Sequence, residues 1–340
     1  MFKIGIDLGY GFVKAIAETN RTMLFPSVVA KGAKRSFGGL FGGESKDYEV
    51  IVNGERYYVG ELALTQKADA TRAFDEERHA HFSTPVLVGT VLAVLAPANQ
   101  PVHVATGLPL RYYGEHGEKF AETLRRMNFT VEMPGIYQGA RRVAVGDVTL
   151  FPQAASALYA EILNEKGELK NAEMVTRGGL LGVVDVGYKT TDFMLVDMDG
   201  PEVLEDFSDT LGMGMSDVYK AVQGVVRDET GESIDILQVE NYALKGEMWF
   251  MGRRHDLRGI VRDAGMSLAQ SIVDRLNLSW RDKKKFLRRL YVAGGGAMLV
   301  GPYLDTGDCP VEVVAAPQFA NARGYLAVAA KKERPFAAVG

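Results

Sequence analysis

The sequence predicts an α/β protein of two domains that share one topology. Its 340 residues are too many for one ordinary hydrophobic core and suit two domains of common size. Apolar strand-like segments alternate along the chain with helix-like segments. A short motif near the amino terminus returns near the middle of the chain, which indicates that the second domain repeats the topology of the first.

The predicted strands are short apolar runs that end in turns, and they lie at residues 3–7, 102–105, 181–186, 193–196 and 290–293. Apolar residues at helical spacing predict helices over residues 154–163, 216–226 and 256–276. Strands that alternate with helices are typical of α/β proteins with partly parallel sheets.

The repeated motif is a strand that ends in an aspartate, an apolar residue and a glycine turn. Residues 4–10 contain Asp7 in this context, and residues 183–188 contain Asp185. A second strand is predicted after each turn, at residues 12–17 and 192–196. Two equivalent hairpins half a chain apart indicate two domains of the same topology that face one another.

The turns have the chemistry of a phosphate and metal site. Glycine lets backbone N–H groups come close to phosphate oxygens. Asp7 and Asp185 could together hold Mg²⁺ through its waters, because Mg²⁺ keeps much of its hydration shell. The ammonium of Lys14, on the returning strand, could reach the phosphates, and Thr190 and Thr191 add hydroxyls. The alternative is two ordinary turns whose aspartates accept hydrogen bonds from local N–H groups.

A third glycine-rich element lies in the second half of the chain. Residues 292–299 read as an apolar strand, the glycines Gly294, Gly295 and Gly296, and the start of a helix. Such a turn allows flat contact with an adenine or ribose and leaves the helix N-terminus open to a ligand.

In this order the three elements resemble the phosphate 1, phosphate 2 and adenosine motifs of the superfamily of actin, sugar-kinase and heat-shock-chaperone ATPases. Residues 152–158 and 320–324 resemble its two connecting helices. Residues 25–29, 106–110 and 319–324 further resemble the ParM-like and archaeal actin-like branch. The resemblance implies an actin-like (ribonuclease H-like) two-domain fold with a nucleotide cleft between the domains.

The resemblance also implies domain boundaries. Domain I would comprise residues 1–152 and 317–340, with an inserted subdomain at about residues 25–82. Domain II would comprise residues 153–316, with an inserted subdomain at about residues 212–262.

Carried over residue by residue, the resemblance makes Asp7 and Asp185 the residues that organise Mg²⁺, and Gln153 the residue that orients the attacking water. Actin has a glutamine at the place of Gln153, whereas ParM has a glutamate. The nucleotide contacts that it implies are Gly9, Tyr10, Gly11, Lys14, Gly187, Tyr188, Lys189, Thr190, Thr191, Gly212, Gly294, Gly295, Gly296 and Met298.

This sequence departs from the family pattern at two places. Tyr188 and Lys189 stand where many relatives have small residues, so the second loop is expected to have a different shape near the γ-phosphate. Gly212 matches a nucleotide-proximal glycine only loosely.

The function that the resemblance implies is a filament-forming ATPase with ATP and Mg²⁺ as cofactors and its own copies as partners. A ParM-like protein would move plasmid DNA through a DNA-binding adaptor protein. The alternatives are a chromosomal cytoskeletal actin homologue and a sugar-type small-molecule kinase, although no aspartate stands in a recognisable kinase context.

Assembly would involve residues 36–45, where four glycines predict a flexible loop whose aromatic side chains contact the next subunit. The alternative is a hairpin that packs its aromatic side chains on its own domain. The basic run at residues 281–289 is predicted to be the solvated face of a helix, with a filament or partner contact as the alternative. Trp249 and Trp280 are predicted to pack inside the protein.

The composition supports a globular cytoplasmic protein. The chain is 47% hydrophobic and 24% charged. Its net charge of -4 lacks the basic excess of nucleic-acid-binding domains, so no direct DNA binding is expected. Apolar runs such as residues 85–95 are too short to cross a bilayer, so no membrane partner is expected. The single cysteine, Cys309, cannot form an intramolecular disulfide, in keeping with the reducing cytoplasm.

Overall fold

A computed structural model of the protein describes residues 1–32, 47–64, 81–200, 202–307 and 309–332. The chain forms two compact units, one of Met1–Asn171 with Phe319–Gly340 and one of Ala172–Gln318. The predicted loop at residues 36–45 lies outside the described residues. The domain boundaries and inserted subdomains implied by the resemblance stay predictions.

The first unit is built on one mixed sheet. Its strands are β1 (Phe2–Leu8), β2 (Phe12–Ala17), β3 (Thr22–Pro26), β4 (Val29–Lys31), β5 (Asp47–Val52), β6 (Glu55–Gly60), β7 (Pro101–Thr106), β8 (Asn128–Glu132) and β9 (Ala140–Leu150). The order across the sheet is β3, β2, β1, β7, β9, β8, β5, β6, β4. β1 pairs antiparallel with β2 and parallel with β7, and β7 pairs parallel with β9. The carboxyl ends of β1, β7 and β9 therefore meet at one edge.

Helices cover this sheet because its central strands are apolar on both faces. They are α1 (Glu61–Leu64), α2 (Ser83–Leu95), α3 (Leu110–Arg125), α4 (Gln153–Ile162) and α10 (Ala320–Lys332). Ile4 and Ile6 of β1 are fully buried, and most of α2 is buried with them in one core.

The second unit contains a smaller mixed sheet. Its strands are β10 (Leu180–Val186), β11 (Thr191–Asp197), β12 (Glu202–Val203), β13 (Asp209–Leu211), β16 (Leu287–Ala293) and β17 (Val311–Val313). The order is β12, β11, β10, β16, β17, with β13 also paired to β11. β14 (Glu247–Phe250) and β15 (Arg253–Asp256) form a separate hairpin. The helices are α5 (Ala172–Thr176), α6 (Met215–Thr230), α7 (Ile236–Lys245), α8 (Arg258–Trp280) and α9 (Ala297–Val300).

The two units repeat one arrangement, as the duplicated motif predicts. In each unit an antiparallel hairpin, β1–β2 or β10–β11, has a parallel strand beside its first member, β7 or β16. The predicted strands and helices all occur, with ends that differ by a few residues.

The solvated helix face predicted for the basic run is confirmed only in part. α8 ends at Trp280, a 3₁₀ helix follows at Arg281–Phe286 with none of its residues buried, and β16 begins at Leu287, so the last three residues of the run are strand. Trp280 is buried as predicted, but Trp249 lies on the outer face of β14 and is 64% exposed. No helix in the described ranges is both long enough and apolar enough to span a membrane.

Candidate functional site

The first turn joins β1 to β2 and carries a buried ion pair. Asp7 lies directly opposite Lys14 in the register of the hairpin. The Lys14 ammonium donates to Asp7 Oδ2 over 2.9 Å, and both side chains are buried. Removing one member of such a pair would leave an uncompensated buried charge. The hairpin therefore holds a cation beside the turn, where a phosphate would need it.

A serine that the predicted site does not include holds the first turn in place. The Ser27 hydroxyl donates to the Gly9 carbonyl over 2.6 Å, and the Ser27 N–H donates to the Gly11 carbonyl over 2.9 Å. Ser27 follows β3, which pairs with β2, so the sheet brings it to the turn. Tyr10, between the two glycines, is buried.

The second turn joins β10 to β11, and its buried charges differ from those of the first. Asp185 lies directly opposite Asp192, which stands where the first hairpin has Lys14. Both aspartates are almost fully buried. Burial raises the pKa of the Asp192 carboxyl to about 7. The hydrogen bond that Asp192 accepts from the Thr210 hydroxyl lowers this pKa, whereas the negative charges of Asp185 and Asp209 raise it further.

This raised pKa predicts a pH dependence of stability. Folded Asp192 keeps its proton between about pH 4 and pH 7, where the unfolded chain has lost it, so the free energy of unfolding falls as pH rises through that range. Asp192→Asn is expected to lack this fall and to be more stable than wild type near pH 8. Chemical denaturation of both proteins at several pH values, without nucleotide or metal, measures it. Parallel stability profiles would contradict the raised pKa.

The N-terminus of α6 binds the carbonyl groups of the second turn. Met215 N–H donates to Gly187 O over 3.0 Å, and Ser216 N–H donates to Tyr188 O over 2.7 Å. The Tyr188 ring packs against the core of the second unit, with its centroid 6.1 Å from that of Tyr219. The turn thus accommodates a large residue at Tyr188 by packing it against α6.

The glycine-rich loop after β16 lies on the second turn. Gly294 has a φ of 90°, and a side chain there would overlap Asp185 Oδ1 and the Val186 carbonyl. The Gly296 N–H donates to Val186 O over 3.0 Å. Only glycine combines this backbone conformation with this close approach. The loop is therefore fixed against the aspartate of the second hairpin.

The remaining predicted residues of the second unit lie around this loop and turn. Gly295 and Met298 are exposed, and Met298 is the second residue of α9. Thr191 is buried and donates to the carbonyl of Met213 over 2.9 Å. Gly212 is exposed next to Met213, and a side chain at Gly212 would meet open space.

Gln153 is the first residue of α4 and lies in the first unit. α4 follows β9, so Gln153 sits at the same sheet edge as the first turn. Its N–H donates to Leu108 O over 3.1 Å. Thr106, at the end of β7, donates its hydroxyl to Ile6 O over 2.7 Å, next to Asp7. The first unit thus gathers Asp7, Lys14 and Gln153 at the carboxyl ends of its parallel strands, where ligands bind in α/β sheets.

Two family models match consecutive parts of the chain. One, described as the N-terminal domain of actin-like proteins, matches residues 5–155. The other, described as the C-terminal part of archaeal MreB-like actin homologues, matches residues 183–306. An archaeal actin homolog of Thermoplasma volcanium is 26% identical over 341 aligned residues, which cover 96% of this chain and 98% of the relative.

Solved structures show the same relationship. The ParM of a 15-stranded filament from Clostridium botulinum has a TM-score of 0.84 and 26% identity, over 97% of this chain and 99% of that one. Ta0583, an archaeal actin homolog solved in complex with ADP, has a TM-score of 0.80 and 22% identity over 97% and 99% of the two chains. The chain therefore has the actin-like two-domain fold, and over nearly its whole length its sequence is similar to ParM and to the archaeal actin homologues.

Proposed function

We propose that this protein binds Mg²⁺ and ATP, hydrolyses the ATP, and assembles into filaments that the hydrolysis makes dynamic. The observation that carries the proposal is the pair of equivalent hairpins, each with a buried aspartate where its first strand meets a glycine turn. The relatives support it, because one was solved with ADP and another as a filament.

The first unit would bind phosphate through the N–H groups of its turn and through Lys14. Since Lys14 already pairs with Asp7, the ammonium is buried at the turn before any nucleotide arrives. An ammonium held in this way costs little reorganisation when it meets a charged phosphate. Gln153 would orient the attacking water from the start of α4.

The second unit fits a hydrated cation. Asp185 faces Asp192 across the hairpin, so the register supplies acidic groups where the first hairpin supplies a lysine. Within the described ranges no three His, Cys, Asp or Glu residues gather as a direct metal cage. Asp7 and Asp185 would hold Mg²⁺ through its waters, as Mg²⁺ prefers. When bound, the ion would neutralise charge that develops on the phosphates.

The proposed cellular task is the movement of plasmid DNA. The filament would reach the plasmid through a DNA-binding adaptor protein, because a net charge of -4 gives the chain itself little attraction for DNA. A filament of the chromosomal cytoskeleton would use the same site and the same assembly.

Sedimentation and phosphate release test the proposal together. The purified chain is incubated with ATP or ADP, in Mg²⁺ or in a chelator, and then centrifuged at high speed. We expect the protein to pellet and to release phosphate only with Mg²⁺ and ATP. Phosphate release without any pellet, at every protein concentration, would contradict the filament. A chain that neither binds nor hydrolyses ATP would contradict the proposal as a whole.

A further inference from the structure

A buried serine links Gln153 to α10. Ser156 lies one turn into α4 and is fully buried. Its hydroxyl oxygen is 2.6 Å from the Gln153 carbonyl oxygen and 3.1 Å from Oδ1 of Asn321. Asn321 is the second residue of α10 and is also buried. The three residues therefore form one chain of polar contacts inside the first unit.

The single hydroxyl proton of Ser156 decides the direction of the hydrogen bonds among these three residues. A serine hydroxyl has one proton to donate and lone pairs that accept. The shorter contact makes the Gln153 carbonyl the acceptor of that proton. The Asn321 amide can then satisfy the serine oxygen only by presenting its NH₂ group, which a half turn about its Cβ–Cγ bond provides. The bonds thus run from Asn321 to Ser156 and from Ser156 to Gln153.

Close packing fixes Asn321 relative to α4. Gly324, one turn further along α10, lies so near Ser156 that any side chain there would overlap the Ser156 carbonyl oxygen. On its other side α10 lies on β1, where a side chain at Gly5 would overlap the Ala322 carbonyl oxygen. α10 therefore has little freedom to shift, and the asparagine is held where the serine needs it.

The backbone of Gln153 is consequently held at both of its polar groups. Its N–H donates to Leu108 O, and its carbonyl accepts the Ser156 proton. The side chain of Gln153 is only half-buried, so its direction depends on how firmly this backbone is fixed.

We propose that Ser156 and Asn321 are positioning residues that hold Gln153 in the place where it orients water. This inference rests on the proposed ATPase function. Through Asn321, the second connecting segment at residues 320–324 would then contribute to ATP hydrolysis as well as to packing.

The experiment compares Ser156→Ala, Asn321→Ala, Gln153→Ala and the double variant Ser156→Ala/Gln153→Ala. Single-turnover phosphate release is expected to fall about threefold to fivefold in Ser156→Ala and in Asn321→Ala, while ATP affinity changes less than about twofold. Because Ser156 acts through Gln153, the double variant is expected to release phosphate no more slowly than Gln153→Ala alone.

Thr90→Val is the matched control. Thr90 is fully buried in α2 of the same unit, and its hydroxyl likewise donates to a carbonyl one turn back, Val86 O, over 2.7 Å. A second measurement, which needs no nucleotide, is the rate of hydrogen exchange at the backbone amides of residues 153–157. That exchange is expected to speed up about tenfold in Ser156→Ala and Asn321→Ala and to stay unchanged in Thr90→Val.

The outcomes separate the inference from the function on which it rests. A wild-type chain that does not hydrolyse ATP would overturn both. If Gln153→Ala releases phosphate slowly while Ser156→Ala and Asn321→Ala release it at the wild-type rate, only the positioning role is overturned. So would an additive loss in the double variant, or a loss in Thr90→Val as large as that in Ser156→Ala, because either result means general destabilisation.

Discussion

Asp185→Asn is expected to slow Mg²⁺-dependent ATP hydrolysis at least about tenfold, a change of about 1.4 kcal/mol in the barrier. Asparagine keeps the shape of the side chain but removes the charge that would organise the metal and its waters. Asp185 is almost fully buried and lies against the Gly294 loop. Steady-state phosphate release across a range of Mg²⁺ concentrations measures the loss.

The same variant is expected to keep its stability. The charge of Asp185 is one cause of the raised pKa of Asp192, so removing that charge lets the pKa of Asp192 fall and relieves the buried pair. Asp197→Asn, at the other end of β11, is the matched control and should change turnover less than about twofold. Wild-type turnover in Asp185→Asn would refute its assignment, and a large loss in Asp197→Asn would point to disruption of the hairpin.

Gln153→Ala is expected to lower the rate of phosphate release about tenfold while ATP affinity changes less than about twofold. The phosphate contacts come from the turns and Lys14, so binding does not need the glutamine. Alanine is a good helix former, so α4 should still begin at this residue. Assembly should proceed, and disassembly should be delayed. Paired traces of light scattering and phosphate release measure both.

Filaments of Gln153→Ala that release phosphate and disassemble at the wild-type rate would show that another group orients the water. Gln153→Glu is a useful second variant, because the motif that Gln153 resembles has a glutamate at this position in ParM. It should retain more activity than Gln153→Ala if the residue acts by accepting a hydrogen bond from water.

The duplicated motif predicted the central fold because its signal is local. A β-branched run, an aspartate and a glycine turn define a hairpin within a few residues, and β1–β2 and β10–β11 form as predicted. The change from Lys14 to Asp192 could also have been noticed, because each lies seven residues after the aspartate of its own hairpin. Its electrostatic consequence could not, because the pKa depends on burial that only the packed structure supplies.

Other features depend on contacts between distant segments. Ser27 holds the first turn because β3 pairs with β2, and Asn321 meets Ser156 because α10 packs on α4. α8 ends at Trp280, and the next residue, Arg281, has a φ of 32°, which is unusual for a residue with a side chain and which the sequence does not announce. The sequence of the β14–β15 hairpin does not indicate which of its faces is covered, so the exposure of Trp249 follows only from the folded structure.

The rate of phosphate release per subunit, measured with light scattering over a series of protein concentrations, tests the coupling of hydrolysis to assembly most directly. We expect a low rate below the assembly threshold and a higher one above it, because assembly would seat Gln153 against the attacking water. The rise should be much smaller in Gln153→Ala, although the scattering still increases. A rate per subunit that stays constant across the threshold, or scattering that never rises with Mg²⁺ and ATP, would contradict a filament-coupled ATPase.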